Sequence, residues 1–201
     1  LWTESGIEGA WRFNQRICRL VNEPSHAIAK FGAEMPQKFS DSALALRKVS
    51  HKTIAGVSAD IENLHFNKAV ARLYEFAGAI SAKLSGDGAA EAMREALETM
   101  ILLVSPMMPH LAEEMWKQLG HKDLVSNAPW PVADEALTVD STVKMAVQVN
   151  GKVRDTIEVA KDLPKEDVEA VAMGNEKVIG FIDGKTVRKV IVVPGRIVNI
   201  V

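Results

Sequence analysis

From Ser5 to about Gly120 the apolar residues recur every three or four positions, the spacing of helices with one buried side. Ile7, Ala10, Trp11, Ile17, Cys18 and Val21 share one side of a first helix, and Arg12, Arg16 and Arg19 fall opposite. Pro24 and Pro36 make residues 24–39 a loop or a broken helix. A second helix is expected from near Ser42 to Ile61, with Leu46, Ile54, Val57 and Ile61 as its stripe. A third uses Phe66, Val70, Leu73, Ala77, Ile80 and Leu84, until Gly86-Asp87-Gly88 breaks it. A fourth covers Ala89 to Val104. Pro109 suits the first turn of a fifth helix, where its missing N–H is not needed, and Gly120 ends that helix. Apolar stripes on helices with short connections must be buried against one another. Residues 1–120 are therefore expected to form an antiparallel helical bundle.

Residues 121–142 carry no sustained period and hold Pro129, Trp130 and Pro131. They read as a linker lying over the domain surface, pinned by Trp130.

After Thr142 the period switches to two. Met145, Val147 and Val149 alternate with Lys144, Ala146 and Gln148. Val153, Ile157 and Val159 alternate with Lys152, Arg154, Thr156 and Glu158. Asn150-Gly151 between the two runs signals a hairpin. A two-residue loop would pair Val147 with Arg154 and mix apolar with charged residues on one face. The apolar face normally sets register, so an odd loop is expected, of about three residues with Gly151 or a neighbour left-handed in a bulge. Pro164 opens a short helix that Gly174 ends, and Asn175 caps another through Ile182. Val190–Val193 and Ile197–Val201 are strands about a Pro194-Gly195 turn. The sum is an α+β, multidomain chain: a helical bundle over 1–120, a linker over 121–142, and a small ββααββ domain over 143–201.

Composition adds exclusions. With 47% hydrophobic residues and a net charge of −2, the chain is neither a histone-like basic binder nor a disordered acidic tail. The longest apolar run, Met100–Val104, is far short of the roughly 20 residues of a membrane span. The single cysteine, Cys18, allows no internal disulfide, which fits a reducing cytosol. Leu1 in place of Met, close to an amphipathic pattern, suggests a piece of a longer protein.

Catalytic signatures are missing: there is no phosphate loop and no G-x-G-x-x-G after a strand. His110-Leu111-Ala112-Glu113-Glu114 has Glu114 where an H-x-x-E-H metal helix needs a second His, and reads as an ordinary helix start. Cys18 reads as a small buried apolar group, and His51 and His65 have no evident partner in sequence. Basic clusters carry more. Arg47, Lys48, His51 and Lys52 project to one side of the second helix. Residues 143–201 carry ten bases against eight acids, and the last 18 residues hold Lys185, Arg188, Lys189 and Arg196 with no acid. Lys152 and Arg154 are expected on the outward face of the hairpin. Such a face is commonly only solvated, yet a small basic domain also suits a phosphate backbone. Phe181 is its only aromatic residue, so base stacking is not its main device; recognition of folded RNA by shape and phosphate fits better.

Several stretches resemble a known family. GIEGAWRFNQRICRLV (residues 6–21) resembles the opening helix of the anticodon-binding domain of bacterial leucyl-tRNA synthetases. FNKAVARLYEFAGAI (66–80) and SPMMPHLAEEMWKQLGH (105–121), with the APWP segment and Asp134, are similar to further landmarks shared with valyl and isoleucyl relatives. The PMMPH stretch departs from an Ala-Pro-Phe pattern common in relatives. MAVQVNGKVRDTIEVA (145–160) and VIGFIDGKTVRKVIVVPGRIVNIV (178–201) resemble the small C-terminal domain of the leucyl enzymes.

The resemblance implies a monomeric, cytoplasmic parent that uses ATP and magnesium to attach leucine to its tRNA. The ATP-site signatures H-I-G-H and K-M-S-K-S are absent from the 201 residues, so no cofactor and no catalytic residue are expected in this chain. Its implied role is to position leucine tRNA, the bundle along the inner side and the terminal domain at the elbow, beside the parent's catalytic domain and away from any membrane. Lys152, Arg154, Lys185, Arg188, Lys189 and Arg196 are the expected elbow contacts, with Asn150 and Gly151 presenting the hairpin tip. Arg16, Arg19, Arg47 and Lys52 are the expected bundle contacts. The competing reading is a free-standing protein-interaction module with solvated basic faces. A third, a metal hydrolase using His110 and Glu114, would require bound metal.

Overall fold

The structure is a computed structural model and describes residues 4–139, 142–182 and 187–201. The chain divides into two compact units, Leu1–Thr138 and Val139–Val201. Among the described residues no helix is long and apolar enough to cross a membrane.

The first unit holds α1 (Glu4–Asn22), α2 (Asp41–Glu62), α3 (Phe66–Ile80), α4 (Ala89–Val104) and α5 (Pro109–Gln118), then a single 3₁₀ turn (Val125–Asn127) and the short α6 (Glu135–Thr138). Leu73, Phe76, Ile80, Met93, Leu97, Met100 and Ile101 fill its centre. Local chemistry sets the ends. Ser40 caps α2 by accepting from the Ala43 N–H, and Pro109 stands in the first turn of α5. Left-handed Gly88 (φ 70°) precedes α4, with the Phe39 ring where a Cβ would lie. Gly120 (φ 95°) follows α5.

Three expectations change in this unit. The buried side of α1 is Phe13, Ile17 and Val21, whereas Ile7 and Trp11 are 48% and 63% exposed. Phe13 stacks on Tyr74 (centroids 4.0 Å apart), whose hydroxyl donates to the Gly9 carbonyl (3.1 Å), and this contact turns the helix. Helix α3 stops at Ile80, and buried Leu84 lies in the following loop. Residues 121–138, expected as part of a linker, belong to the first unit. Trp130 Nε1 donates to Ser58 Oγ (2.8 Å), Leu137 is buried, and α6 packs on α2. Glu113 accepts from the backbone N–H groups of Val125 and Ser126 (2.7 and 3.2 Å), so its task is to hold the 3₁₀ turn. Burial would raise its carboxyl, and these two bonds outweigh that and lower it.

The second unit runs β1 (Thr142–Val149), β2 (Lys152–Ala160), α7 (Lys165–Met173), α8 (Glu176–Ile182), β3 (Val190–Val193) and β4 (Ile197–Ile200). Its sheet has the order β2-β1-β4-β3, with β1 and β4 parallel and the other pairs antiparallel. Met145, Val147, Val149, Ile157, Val198 and Ile200 are buried against Val168, Ala172 and Val178 of the two helices. Asn175 caps α8 as its sequence predicts, accepting from the N–H groups of Lys177 and Val178 (3.0 and 3.2 Å).

A candidate nucleic-acid interface

The hairpin of the second unit turns in two residues, not three. Asn150 and Gly151 are both left-handed (φ 50° and 75°), and Val149 pairs with Lys152. Two positive φ values define the tight turn that Asn-Gly favours, because its twist matches the flanking strands. The conflict of faces read from the sequence is real and is resolved farther down. Gln148 pairs with Val153 and Val147 with Asp155, so Arg154 is an extra residue in β2. Beyond this bulge Met145 faces Ile157 and both are buried; before it Val153 lies on the other face, 58% exposed. The turn sets one register, the apolar face requires another, and the bulge reconciles them.

Backbone ties fasten the tip. Asn150 N–H donates to the Ile200 carbonyl (2.9 Å) and Gly151 N–H to Asn199 Oδ1 (3.2 Å). Next to it, the N–H groups of Arg188 and Lys189 both donate to the Val201 carbonyl (2.7 and 3.1 Å), and the Val201 N–H returns a bond to Lys189 (2.9 Å). The pairing therefore gathers Lys152, the Asn150-Gly151 tip, Arg188 and Lys189 at one end of the sheet, all exposed. Four strands at about 4.8 Å spacing make that rim about 14 Å wide. Behind it lies a cleft of about 240 Å³ with apolar walls from Val149, Ile182, Val187 and Ile200. Arg196, also exposed, sits in the β3–β4 turn at the other end of β4, so it does not join the rim. Lys185 lies outside the described residues.

Arg154 is not on the outward face. It is half-buried, and its guanidinium lies over the Phe181 ring, 4.1 Å from the centroid. Its neighbour Asp155 accepts from Asn175 Nδ2 (2.9 Å) and Lys177 Nζ (3.1 Å). The bond from Asn175 first, then that from Lys177, holds the Asp155 carboxyl below its ordinary range.

The bundle treats its basic residues differently. Arg47 was expected on a solvated face, but its Nε and Nη2 donate to the two Glu95 oxygens (2.8 and 3.1 Å), and it packs over Phe39. His51 is buried; its Nδ1 accepts the Asp134 N–H (2.9 Å), which leaves Nε2 as the donor to Glu95 Oε1 (3.1 Å). Burial alone would raise the Glu95 carboxyl. The bonds from His51 and Arg47 outweigh it and hold the group below its ordinary value. Lys48 and Lys52 are half-buried on the same helix. On α1, Arg16 is half-buried with Nη2 3.5 Å from Ser81 Oγ, Arg12 pairs with Glu8 (3.6 Å), and Arg19 is exposed. Arg47 is thus neutralised by Glu95, whereas Lys152, Arg188 and Lys189 stay exposed at the terminal rim. Sequence reasoning missed two partners, Glu95 and Phe181.

Among the described residues no group of three His, Cys, Asp or Glu is placed to hold a metal.

A helical bundle followed by a small sheet with a basic end matches a known class. The family model for the anticodon-binding domain of tRNA ligase matches residues 44–170, and the chain belongs to that family. Over its whole length the chain is 53% identical to the leucine–tRNA ligase of Parvibaculum lavamentivorans and 49% to that of Paramagnetospirillum magneticum, covering 23% of each. It is also similar to Agrobacterium radiobacter K84 LeuRS, solved in a ternary complex with tRNA and LeuAMS. That match has a TM-score of 0.73 and 25% identity, and covers 99% of this chain and 26% of the other. The chain spans about a quarter of the length of these relatives.

Proposed function

We propose that the chain is the tRNA-binding and positioning part of a leucine–tRNA ligase. The observation that carries this is the rim of Lys152, Arg188 and Lys189, exposed beside a hairpin tip that backbone bonds hold rigid. Phosphate contacts orient a nucleic acid without reading its bases. A fixed rim of cations therefore suits a chain whose task is to hold tRNA so that the acceptor end falls where the chemistry occurs. Arg196 and Lys185 would extend the contact on other parts of the unit, and Arg16, Arg19 and Lys52 would supply bundle contacts. Leucine activation with ATP and magnesium would belong to the remainder of a monomeric, cytoplasmic ligase. The similarity to leucine–tRNA ligases over the whole chain supports the choice of tRNA.

The test is tRNA binding by this chain as salt is varied. The affinity should fall with salt, with a log–log slope of about −0.7 to −0.9 per phosphate contact. Reversing Lys152, Arg188 and Lys189 to Glu should weaken binding at least about tenfold and flatten that slope. In the full ligase the same changes should spare leucine-dependent ATP–pyrophosphate exchange; equal loss of both activities would overturn the positioning role. No tRNA binding even at low salt would favour a protein-interaction module, with exposed Ile7 and Trp11 as its surface.

A further inference from the structure

Among the described arginines, Arg154 combines properties that the others do not. Arg47, Arg72 and Arg94 are committed to Glu95, Asp60 and Glu98. Arg188 and Arg196 are exposed. Arg154 is half-buried and stacked on Phe181, yet its Nε is buried with no hydrogen-bond partner, and no described residue pairs with its guanidinium. Its neighbour in the chain, Asp155, is taken by Asn175 and Lys177. The bulge that places it here is the residue by which β2 is longer than the face of β1 requires. Bulges commonly re-aim a side chain near a functional site.

Holding a long side chain still costs rotamer entropy, and leaving buried donors unpaired costs more. Among the described residues only the ring contact offsets this. A guanidinium fixed in orientation, with its fork of donors unused, is preorganised for two parallel bonds to a phosphate. We infer that Arg154, held by Phe181, is a bidentate clamp for one phosphodiester of the bound RNA. It is an orienting contact, distinct in kind from the exposed cations Lys152, Arg188 and Lys189, which no ring holds in one orientation among the described residues. The inference rests on the tRNA-binding reading and deepens it: the rim attracts, and the clamp sets register.

The clamp predicts that charge alone does not suffice. Arg154→Lys keeps the charge and loses the planar fork, and should weaken tRNA binding about fivefold, nearly as much as Arg154→Ala. Phe181→Leu should weaken it about threefold while the charge count is unchanged. Lys161→Ala, in the turn just past the far end of β2, should leave binding as it is. Thermal unfolding of each variant shows whether the unit is intact. A second measurement needs no RNA: in the intact chain labelled with ¹⁵N, the Arg154 Nε–H resonance should shift on titration with inorganic phosphate, ahead of those of Arg188 and Arg196.

Arg154→Lys binding like the parent chain, with the rim reversals still harmful, would overturn the clamp and leave the tRNA reading standing. A parent chain that fails to bind tRNA would overturn the tRNA reading. The phosphate titration then decides the anion site separately, and the absence of any Arg154 shift overturns it.

Discussion

Two basic clusters that look alike in sequence have opposite fates. Arg47 and His51 in the bundle converge on Glu95, and the group joins α2 to α4 and to the segment before α6. Lys152, Arg188 and Lys189 in the terminal unit are exposed, and the guanidinium of Arg154, on the same strand as Lys152, lies over an aromatic face with no acid paired to it among the described residues. The lesson is that a run of cations says little until its acids are located. In the bundle a carboxylate from another helix neutralises the cluster. In the terminal unit Asp155, next to Arg154 in the chain, is bonded to Asn175 and Lys177 instead.

This contrast can be broken in several ways. The largest effect is expected from Glu95→Ala, which leaves Arg47 and His51 without their shared partner. Half-buried ion pairs broken from one side should lower the unfolding free energy of the first unit by about 2–4 kcal/mol, read by urea denaturation. Arg154→Ala should change the second unit by no more than about 1 kcal/mol, because it removes a ring contact and an unpaired donor together. Equal losses would erase the distinction between a structural and a binding arginine.

The next effect is on tRNA. Arg47→Ala in the same chain should alter affinity by less than about twofold once the unit is shown to be folded, well below the effect of reversing the rim. A tenfold loss would return Arg47 to the interface. His51→Ala removes the acceptor for the Asp134 N–H, so that amide should exchange with solvent about tenfold faster while the amides of α4 keep their protection.

The smallest effects concern acid. The Glu95 carboxyl is held below its ordinary value of 4.5, so its contribution is complete above that pH and is lost as pH falls through the lower folded value. Asp155 behaves alike below its ordinary 3.8, for the second unit. Glu95→Gln and Asp155→Asn should each flatten the acid side of the stability curve of their own unit. A curve that keeps its slope would remove that carboxylate from the account.

How much of this was legible depended on how local the cause is. Helix α4 runs from Ala89 to Val104 as its period predicts, and Asn175 caps α8, because both signals lie within one or two turns. The face of α1 is not legible locally, because both Trp11 and Phe13 lie on apolar stripes; Tyr74, on another helix, stacks on Phe13 and decides between them. The clash of register in the hairpin was legible and its remedy was not. The sequence shows that turn and face disagree, but the place where a bulge absorbs the difference depends on packing against the helices. Glu95 stands 48 residues from Arg47 and 44 from His51, beyond the reach of any spacing rule. Exposure of Arg188 and Lys189 is legible because the last 18 residues hold no acid, and that of Lys152, three residues from Asp155, follows from its place beside the Asn150-Gly151 turn.

The strap formed by residues 128–138 has a consequence for proteolysis. Trp130 on Ser58, Asp134 on His51 and buried Leu137 commit this stretch to the bundle. A protease can cut it only after it peels from α2, so the rate of cleavage there reports local opening of the strap rather than global unfolding of the bundle. His51 and Trp130 thereby set how long a segment without a period of its own survives.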